Sequence, residues 1–287
     1  MERATRAGGR PGASALSGDL LASQPSDEVR LADLYVLEHV EIVEDLVFYR
    51  EWARRTRGPV VDLGCGSGRL LGCLFAGGAP SVVGIDGSPS LLARAEARVE
   101  ADPELRAARD AGRLELALGD VRSVRRADRF RLAILAGVVA HLAGPEDALR
   151  ALDHARDLLE PRGMLVVDSL GPGALPERDL PLSLDWERTL GGRRVVRRSS
   201  LERREAPEGL WVEYGTLTDL VEPDGTIARL PASFRLWYPR PVTLIGLAEE
   251  AGLAVEATYG SHDLDPLDDG SERCIVVLRR AAGPGMG

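Results

Sequence analysis

Residues 60–68 read VVDLGCGSG, an apolar, β-branched run that passes directly into three alternating glycines. The run predicts a buried strand, and the glycines predict a tight turn at a helix start where the backbone can approach a ligand closely. The next apolar run ends at Asp86, 22 residues after Gly64. That spacing is close to the ~20 residues at which an acid meets a ribose hydroxyl in nucleotide-binding folds. We therefore expect Asp86 to face a sugar.

Strands and helices alternate through the first 170 residues. Helical spacing of apolar residues predicts one or two helices within 27–57, and later helices at 69–76, after the Ser88-Pro89 cap, and at 145–159. Short apolar runs predict strands at 59–63, 81–86, 114–118, 132–136 and 164–168. Because parallel neighbours need a crossover between them, this order predicts a doubly wound α/β sheet.

The pattern changes after residue 171. Runs at 184–190, 194–204, 210–221 and 226–237 are separated by glycine-containing turns and predict an antiparallel β insert. A helix at 241–251 and strands at 253–259 and 273–279 complete the chain. We divide it into a flexible tail (1–26), an α/β core with N-terminal helices (27–170), the insert (171–240), a last helix with two strands (241–280) and a second tail (281–287).

Composition excludes several classes of protein. The 287 residues are 44% hydrophobic, and the longest apolar run, 132–140, is too short for the ~20 residues of a membrane span. A net charge of -9 disfavours binding to nucleic acid. Lys and Asn are absent, which excludes a lysine Schiff base and a Walker A loop. Three cysteines without C-x-x-C spacing suggest neither a disulfide framework nor a metal site, so we expect a soluble, cytoplasmic protein.

The glycine loop also indicates which nucleotide is bound. A dinucleotide loop carries its third glycine at the position of Arg69, so NAD and FAD are disfavoured. An acid before G-x-G-x-G, here Asp62, is instead typical of S-adenosylmethionine, whose sulfonium cation tolerates a nearby carboxylate. Asp120, after the third predicted strand, is placed to accept from the adenine amino group, with Val121 beside it.

These motifs resemble the class I S-adenosylmethionine-dependent methyltransferases over residues 27–170. EDLVFY at 44–49 and His141-Leu142 are similar to the small-molecule methyltransferases of bacterial secondary metabolism, a group that includes enzymes acting on amino sugars. The resemblance implies a Rossmann-like, seven-stranded sheet with an antiparallel β lid and S-adenosylmethionine as cofactor. The expected cofactor-binding residues are Tyr49, Asp62, Gly64, Cys65, Gly66, Gly68, Asp86, Gly87, Asp120, Val121 and Gly137.

His141 is the candidate catalytic residue. It follows the fourth predicted strand, and a histidine is suited to taking a proton from a substrate. A purely structural role in capping or orienting the loop is the alternative. In-line methyl displacement needs no covalent nucleophile, so the cysteines need no catalytic role. For the substrate we expect contacts from Tyr35, Trp237 and Tyr238, with packing alone as the alternative.

The insert holds a concentration of arginines at 193, 194, 197, 198, 203 and 204. Solvent-facing pairs with acids such as Glu202 and Glu205 are the favoured explanation, ahead of an acidic substrate or RNA. The sequence thus predicts an enzyme that methylates nitrogen or oxygen of a small metabolite, possible as a homo-oligomer. The alternatives are a protein of this fold that binds the cofactor without methyl transfer, and a nicotinamide oxidoreductase, which Arg69 disfavours.

Overall fold

A computed structural model describes residues 27–39, 42–190 and 193–280. The two predicted tails lie outside the described residues. Within these ranges the helices are α1 Asp27–His39, α2 Leu46–Thr56, α3 Leu71–Ala76, α4 Pro89–Ala101, α5 Pro103–Asp110, α6 Pro145–Leu158 and α7 Pro241–Glu250. The strands are β1 Val60–Leu63, β2 Val82–Asp86, β3 Leu114–Leu118, β4 Phe130–Ala136, β5 Leu159–Leu170, β6 Leu180–Leu190, β7 Arg193–Ala206, β8 Gly209–Val221, β9 Ile227–Pro239, β10 Leu253–Tyr259 and β11 Arg273–Arg280.

Seven strands form one mixed sheet in the order β10-β11-β5-β4-β1-β2-β3. Strands β1 to β5 are parallel, and β11 runs antiparallel to both β5 and β10. The strand order reverses between β1 and β4, so a crevice opens there at the carboxyl ends, where doubly wound sheets bind their ligands. The predicted fold class, with its seven strands and separate antiparallel sheet, is confirmed.

Helices cover both faces of this sheet. On one face α6 and α7 bury Ala151, Leu152 and Leu244 against the strands, and on the other α2 and α3 bury Trp52 and Leu71. Burial of each large side chain contributes about 1.5–3 kcal/mol, so the two faces account for most of the stabilisation of the domain. None of the described helices is long and apolar enough to cross a membrane.

The second sheet contains β6 to β9 in sequence order, with antiparallel pairing throughout. Gly225, at φ +86°, makes the turn between β8 and β9. One end of this sheet is anchored in the α/β core by Trp237, which is fully buried there. The other end packs on α1, where Leu34 contacts the cluster of Val195 and Leu230. Helix α1 thus lies between the two sheets.

Two elements differ from the predictions. Helix α5 was missed, although Asp102 caps it by accepting from the amides of Glu104 and Leu105 and Pro103 occupies its first turn. Strand β5 begins at Leu159, the last residue of the helix predicted at 145–159, and a register shift against β4 accommodates this irregular start.

Candidate active site

The glycine-rich loop after β1 adopts a conformation that only glycine tolerates well. Gly64, Gly66 and Gly68 have φ values of +81°, +55° and +73°. The Gly64 amide donates to the carbonyl of Ile85 at 2.7 Å, which ties the loop to the end of β2. A Cβ at Gly64 would lie 2.3 Å from the Val138 side chain. The three predicted glycines are therefore required by backbone conformation, and by close packing at Gly64.

Asp86, at the end of β2, holds the loop in place. One carboxylate oxygen accepts from the Gly66 amide and the other from the Ser88 amide, each at 2.8 Å. The side chain is buried. Each carboxylate oxygen has a further lone pair, so Asp86 can still accept from a ligand hydroxyl.

Asp62, on β1, is a buried carboxylate that is incompletely satisfied. It is 2% exposed, and its Oδ2 has no hydrogen-bond partner among the described residues. Burial raises the pKa of Asp62 to about 7; the nearby Arg69 opposes this rise and the Asp86 charge adds to it. A buried polar atom without a partner is rare in folded proteins and indicates a place where a polar ligand group can bind.

Asp62 lies in a pocket that is covered by α1. The pocket is also lined by Tyr35, His39, Gly64, Cys65 and Arg69. Tyr35 stacks on His39 with ring centroids 4.0 Å apart, and its hydroxyl would be 3.4 Å from a Cβ at Gly66. The structure thus places Tyr35, predicted to contact substrate, over the cofactor loop.

Salt bridges fix the helices around this pocket. Asp33 of α1 pairs with Arg94 of α4 at 2.6 Å, and Glu38 of α1 pairs with Arg197 of the second sheet. Arg69 makes a two-pronged contact with Asp45, just before α2, with both distances 2.6 Å. Arg69, which stands where a dinucleotide loop has glycine, therefore links the loop to the segment that precedes α2.

The predicted adenine end of the site is more open. Asp120 is exposed, and a hydrogen bond from Arg122 is the main reason that its pKa falls to about 2. The Arg122 guanidinium contacts Asp120 Oδ2 at 2.6 Å, so a ligand amine would have to share or displace that contact. Val121 is buried in the core beneath. Gly87 has only the Gly119 carbonyl nearby, 3.9 Å from a Cβ position.

Gly137 and His141 follow β4, on the other side of the crevice. Gly137 has φ +72° and open space around it, and its amide donates to the Asp168 carbonyl at 2.8 Å. His141 ends a short 3-10 helix, Val139–His141, and its side chain is exposed. Surrounding protein atoms still lower its pKa by desolvation. Its ring makes no hydrogen bond to any of the described residues, so no carboxylate orients it.

Residues 60–163, which contain this loop and both acids, match a family model described as a methyltransferase domain. This match confirms the class of enzyme that the glycine loop and the strand-end acids predicted. No curated protein sequence matches the chain.

Solved structures share the fold of this chain over nearly its whole length. The CcbJ methyltransferase from Streptomyces caelestis is 22% identical, with 92% of this chain and 96% of that one covered at a TM-score of 0.67. An S-adenosylmethionine-dependent methyltransferase from Clostridium acetobutylicum is 13% identical, with 88% of this chain and 98% of that one covered at a TM-score of 0.70. CalS10 from Micromonospora echinaspora, an amino pentose methyltransferase involved in calicheamicin biosynthesis, is 22% identical. The alignment covers 91% of this chain and 93% of that one at a TM-score of 0.59.

A second polar cluster lies beside the pocket and was not predicted. Asp168, at the end of β5, is 1% exposed and accepts from the Tyr49 hydroxyl at 2.5 Å and from His262 Nε2 at 2.8 Å. Its other oxygen accepts from Arg273 Nε at 2.9 Å. Burial alone would raise the pKa of Asp168, but the His262 hydrogen bond and the Arg273 charge hold it below its usual range.

Tyr49 belongs to this second cluster rather than to the cofactor pocket. It is 0% exposed, so it presents no surface to a ligand, and burial raises its pKa well above the ordinary value. The expected contact between Tyr49 and the cofactor stays a prediction. A signal for Asp168 existed in the sequence, since it ends its predicted strand as Asp86 ends β2.

The aromatic residues of the second sheet divide between packing and a cavity. Trp237 is fully buried against the core beside Trp211, and its expected substrate contact stays a prediction. Tyr238 lines a separate cavity of about 260 Å³ between the end of β5 and the second sheet, together with Arg203 and Arg240. Tyr238 is thus placed where a ligand can reach it.

The arginines of β7 mostly pair with acids. The pairs are Arg193 with Glu222, Arg194 with Glu187, Arg197 with Glu38, Arg198 with Asp219 and Arg203 with Glu205. The exposed pairs among them, such as Arg194 with Glu187, stabilise a protein by about 0–1 kcal/mol each. They leave little uncompensated positive charge on the strand, in agreement with the favoured explanation.

Proposed function

We propose that the chain transfers a methyl group from S-adenosylmethionine to a nitrogen or oxygen atom of a small metabolite. The observation that carries this proposal is the unpartnered Oδ2 of Asp62, buried beside the glycine loop and near Asp86. A cofactor with a ribose, an amine and a sulfonium supplies hydroxyl and cationic groups that suit two carboxylates. It brings no pyrophosphate, which two buried acids would repel.

The residues of the pocket fit this cofactor. Asp86 would accept from the ribose hydroxyls, and the free oxygen of Asp62 would accept from the amine. The bare backbone of Gly64 and Gly66 would let the ligand approach without meeting a Cβ. When bound, S-adenosylmethionine supplies an electrophilic methyl group on a positively charged sulfur.

The role of the protein in such a reaction is to position the acceptor against the methyl group and to enclose both. Tyr35 and His39 cover the pocket and exclude water, while the end of β4, at Ala136 and Gly137, forms the side of the crevice next to β5. Holding a nucleophile in line with a methyl group can lower the barrier by about 7–11 kcal/mol through orientation. No covalent intermediate with a side chain is required.

An amine in a sugar-like metabolite is the favoured acceptor, and a hydroxyl is the second choice. CalS10, with the same fold, is described as an amino pentose methyltransferase involved in calicheamicin biosynthesis. Natural-product biosynthesis is accordingly the favoured setting.

Titration calorimetry with S-adenosylmethionine, S-adenosylhomocysteine and NAD tests the proposal. We expect micromolar binding of the first two and none of NAD. The Asp86→Ala variant should weaken binding by at least about 1.5 kcal/mol, because the ribose would lose a charged acceptor. Asp269→Ala, which removes an exposed carboxylate in the β10–β11 loop, is the matched control and should bind as the unaltered protein does. Failure of S-adenosylmethionine to bind would refute the proposal.

A further inference from the structure

The second polar cluster lies next to the cofactor pocket on the same face of the sheet. Asp62 on β1 pairs with Ile134 on β4. Ala136 lies two residues after Ile134, so it is on the same face of the sheet, and it pairs with Asp168 on β5. Ala136 lines the cofactor pocket. Because neighbouring strands lie about 4.8 Å apart, the Asp168 carboxylate stands one strand beyond the pocket, on the side away from Asp62.

The cluster has the arrangement of an oriented base. The ring of His262 is held between Phe48 and Tyr49, with centroids 5.4 Å and 6.0 Å away. Its Nε2 faces Asp168, whose low pKa keeps the carboxylate ionised, so Nε2 must carry the proton and donate it. That tautomer leaves Nδ1 as an acceptor. Within the described part of the chain Nδ1 makes no hydrogen bond, and the side chain is 17% exposed.

The charges around His262 are compatible with that role. Asp168 from β5 offers a negative charge, Arg273 from β11 neutralises it, and Tyr49 from α2 donates to the same carboxylate. A carboxylate that fixes the tautomer of a histidine and stabilises its protonated form is the arrangement found in hydrolytic triads. His141, by contrast, has no such partner.

We propose that His262, oriented by Asp168, takes the proton released by the methyl acceptor. The inference rests on the proposed methyl transfer. The acceptor nitrogen or oxygen forms a bond to the methyl carbon, the carbon–sulfur bond breaks, and its electron pair returns to sulfur. The N–H or O–H proton of the acceptor goes to Nδ1 of His262, and Asp168 balances the resulting positive charge.

Nuclear magnetic resonance of the four histidine rings tests this placement on the unaltered protein. The probes are sinefungin, which carries an amine in place of the methyl group, and S-adenosylhomocysteine, which carries nothing there. A positive charge close to an imidazole disfavours its protonation. We therefore expect sinefungin to lower the titration midpoint of His262 by about 0.5–1 pH unit relative to S-adenosylhomocysteine.

Two variants complete the test. His262→Gln identifies the His262 signal by its loss. Asp168→Asn should shift the His262 ring away from the Nε2-protonated tautomer, because the carboxylate that accepts from Nε2 is lost. An equal titration midpoint of His262 with both ligands, or a response confined to His141, would overturn the inference. Calorimetry on the same samples distinguishes refutation of the His262 inference from refutation of the proposed function. If neither ligand binds, both the proposed function and the inference are refuted.

Discussion

Asp62 should make the ligand-free protein less stable than its neutral analogue. Burial raises the pKa of Asp62 from 3.8 to about 7, so the folded state disfavours the ionised carboxylate relative to the unfolded chain. The stability linked to this group is fully present below pH 4, is lost as the pH rises from about 4 to about 7, and stays lost above that. A pKa change of this size corresponds to about 4 kcal/mol at pH 8.

The Asp62→Asn variant should therefore be more stable than the unaltered protein, by an amount that depends on pH. The difference in unfolding free energy should grow between pH 4 and pH 7, by up to about 1.4 kcal/mol per pH unit, and then level off. At the same time the variant should bind S-adenosylmethionine more weakly, because an amide lacks the negative charge that receives a cationic amine.

Urea denaturation at pH 4.5, 5.5, 6.5, 7.5 and 8.5 measures the effect, with Asp269→Asn, an exposed carboxylate, as the control that should show no pH-dependent gain. A stability difference that does not change with pH, or that shrinks as the pH rises, would show that the pKa of Asp62 is not raised by burial as the structure indicates.

Two further substitutions test the loop and the second cluster. Gly64→Ala should abolish cofactor binding, because its Cβ would lie 2.3 Å from Val138; Gly78→Ala, with a similar φ of +87° but open space, separates the clash from backbone strain. Calorimetry that found binding intact in Gly64→Ala would contradict this geometry. Tyr49→Phe should lower the free energy of unfolding by about 1–2 kcal/mol, since Asp168 loses a buried donor. Unchanged urea denaturation would show that this hydrogen bond contributes nothing.

Much of the site could be read from the sequence because its parts are local. Gly64 and Asp86 are separated by one strand–helix–strand unit, and the motif fixes both the turn and the strand end that carry them. The same logic located Asp62. Backbone conformation and chain order decide these positions, so distant parts of the chain need not be known.

The second cluster could not be read in the same way. His262 lies 94 residues after Asp168, in an acidic loop with no motif, and their contact depends on β11 inserting between β5 and β10. The role of Tyr49 was missed for the same reason, since its neighbour lies 119 residues away. Helix α5 is a different case: Asp102-Pro103 is the same start signal as Ser88-Pro89, and the helix is only eight residues long.

The double attachment of α1 has a kinetic consequence. Helix α1 covers the proposed cofactor pocket. It forms one ion pair with the core through Asp33 and another with the second sheet through Glu38. Because Leu34 of α1 packs on the second sheet, a movement of α1 that admits the proposed methyl donor would also release that end of the sheet. We expect an ordered kinetic mechanism, in which the methyl donor binds before the acceptor and the demethylated donor is the last product to dissociate.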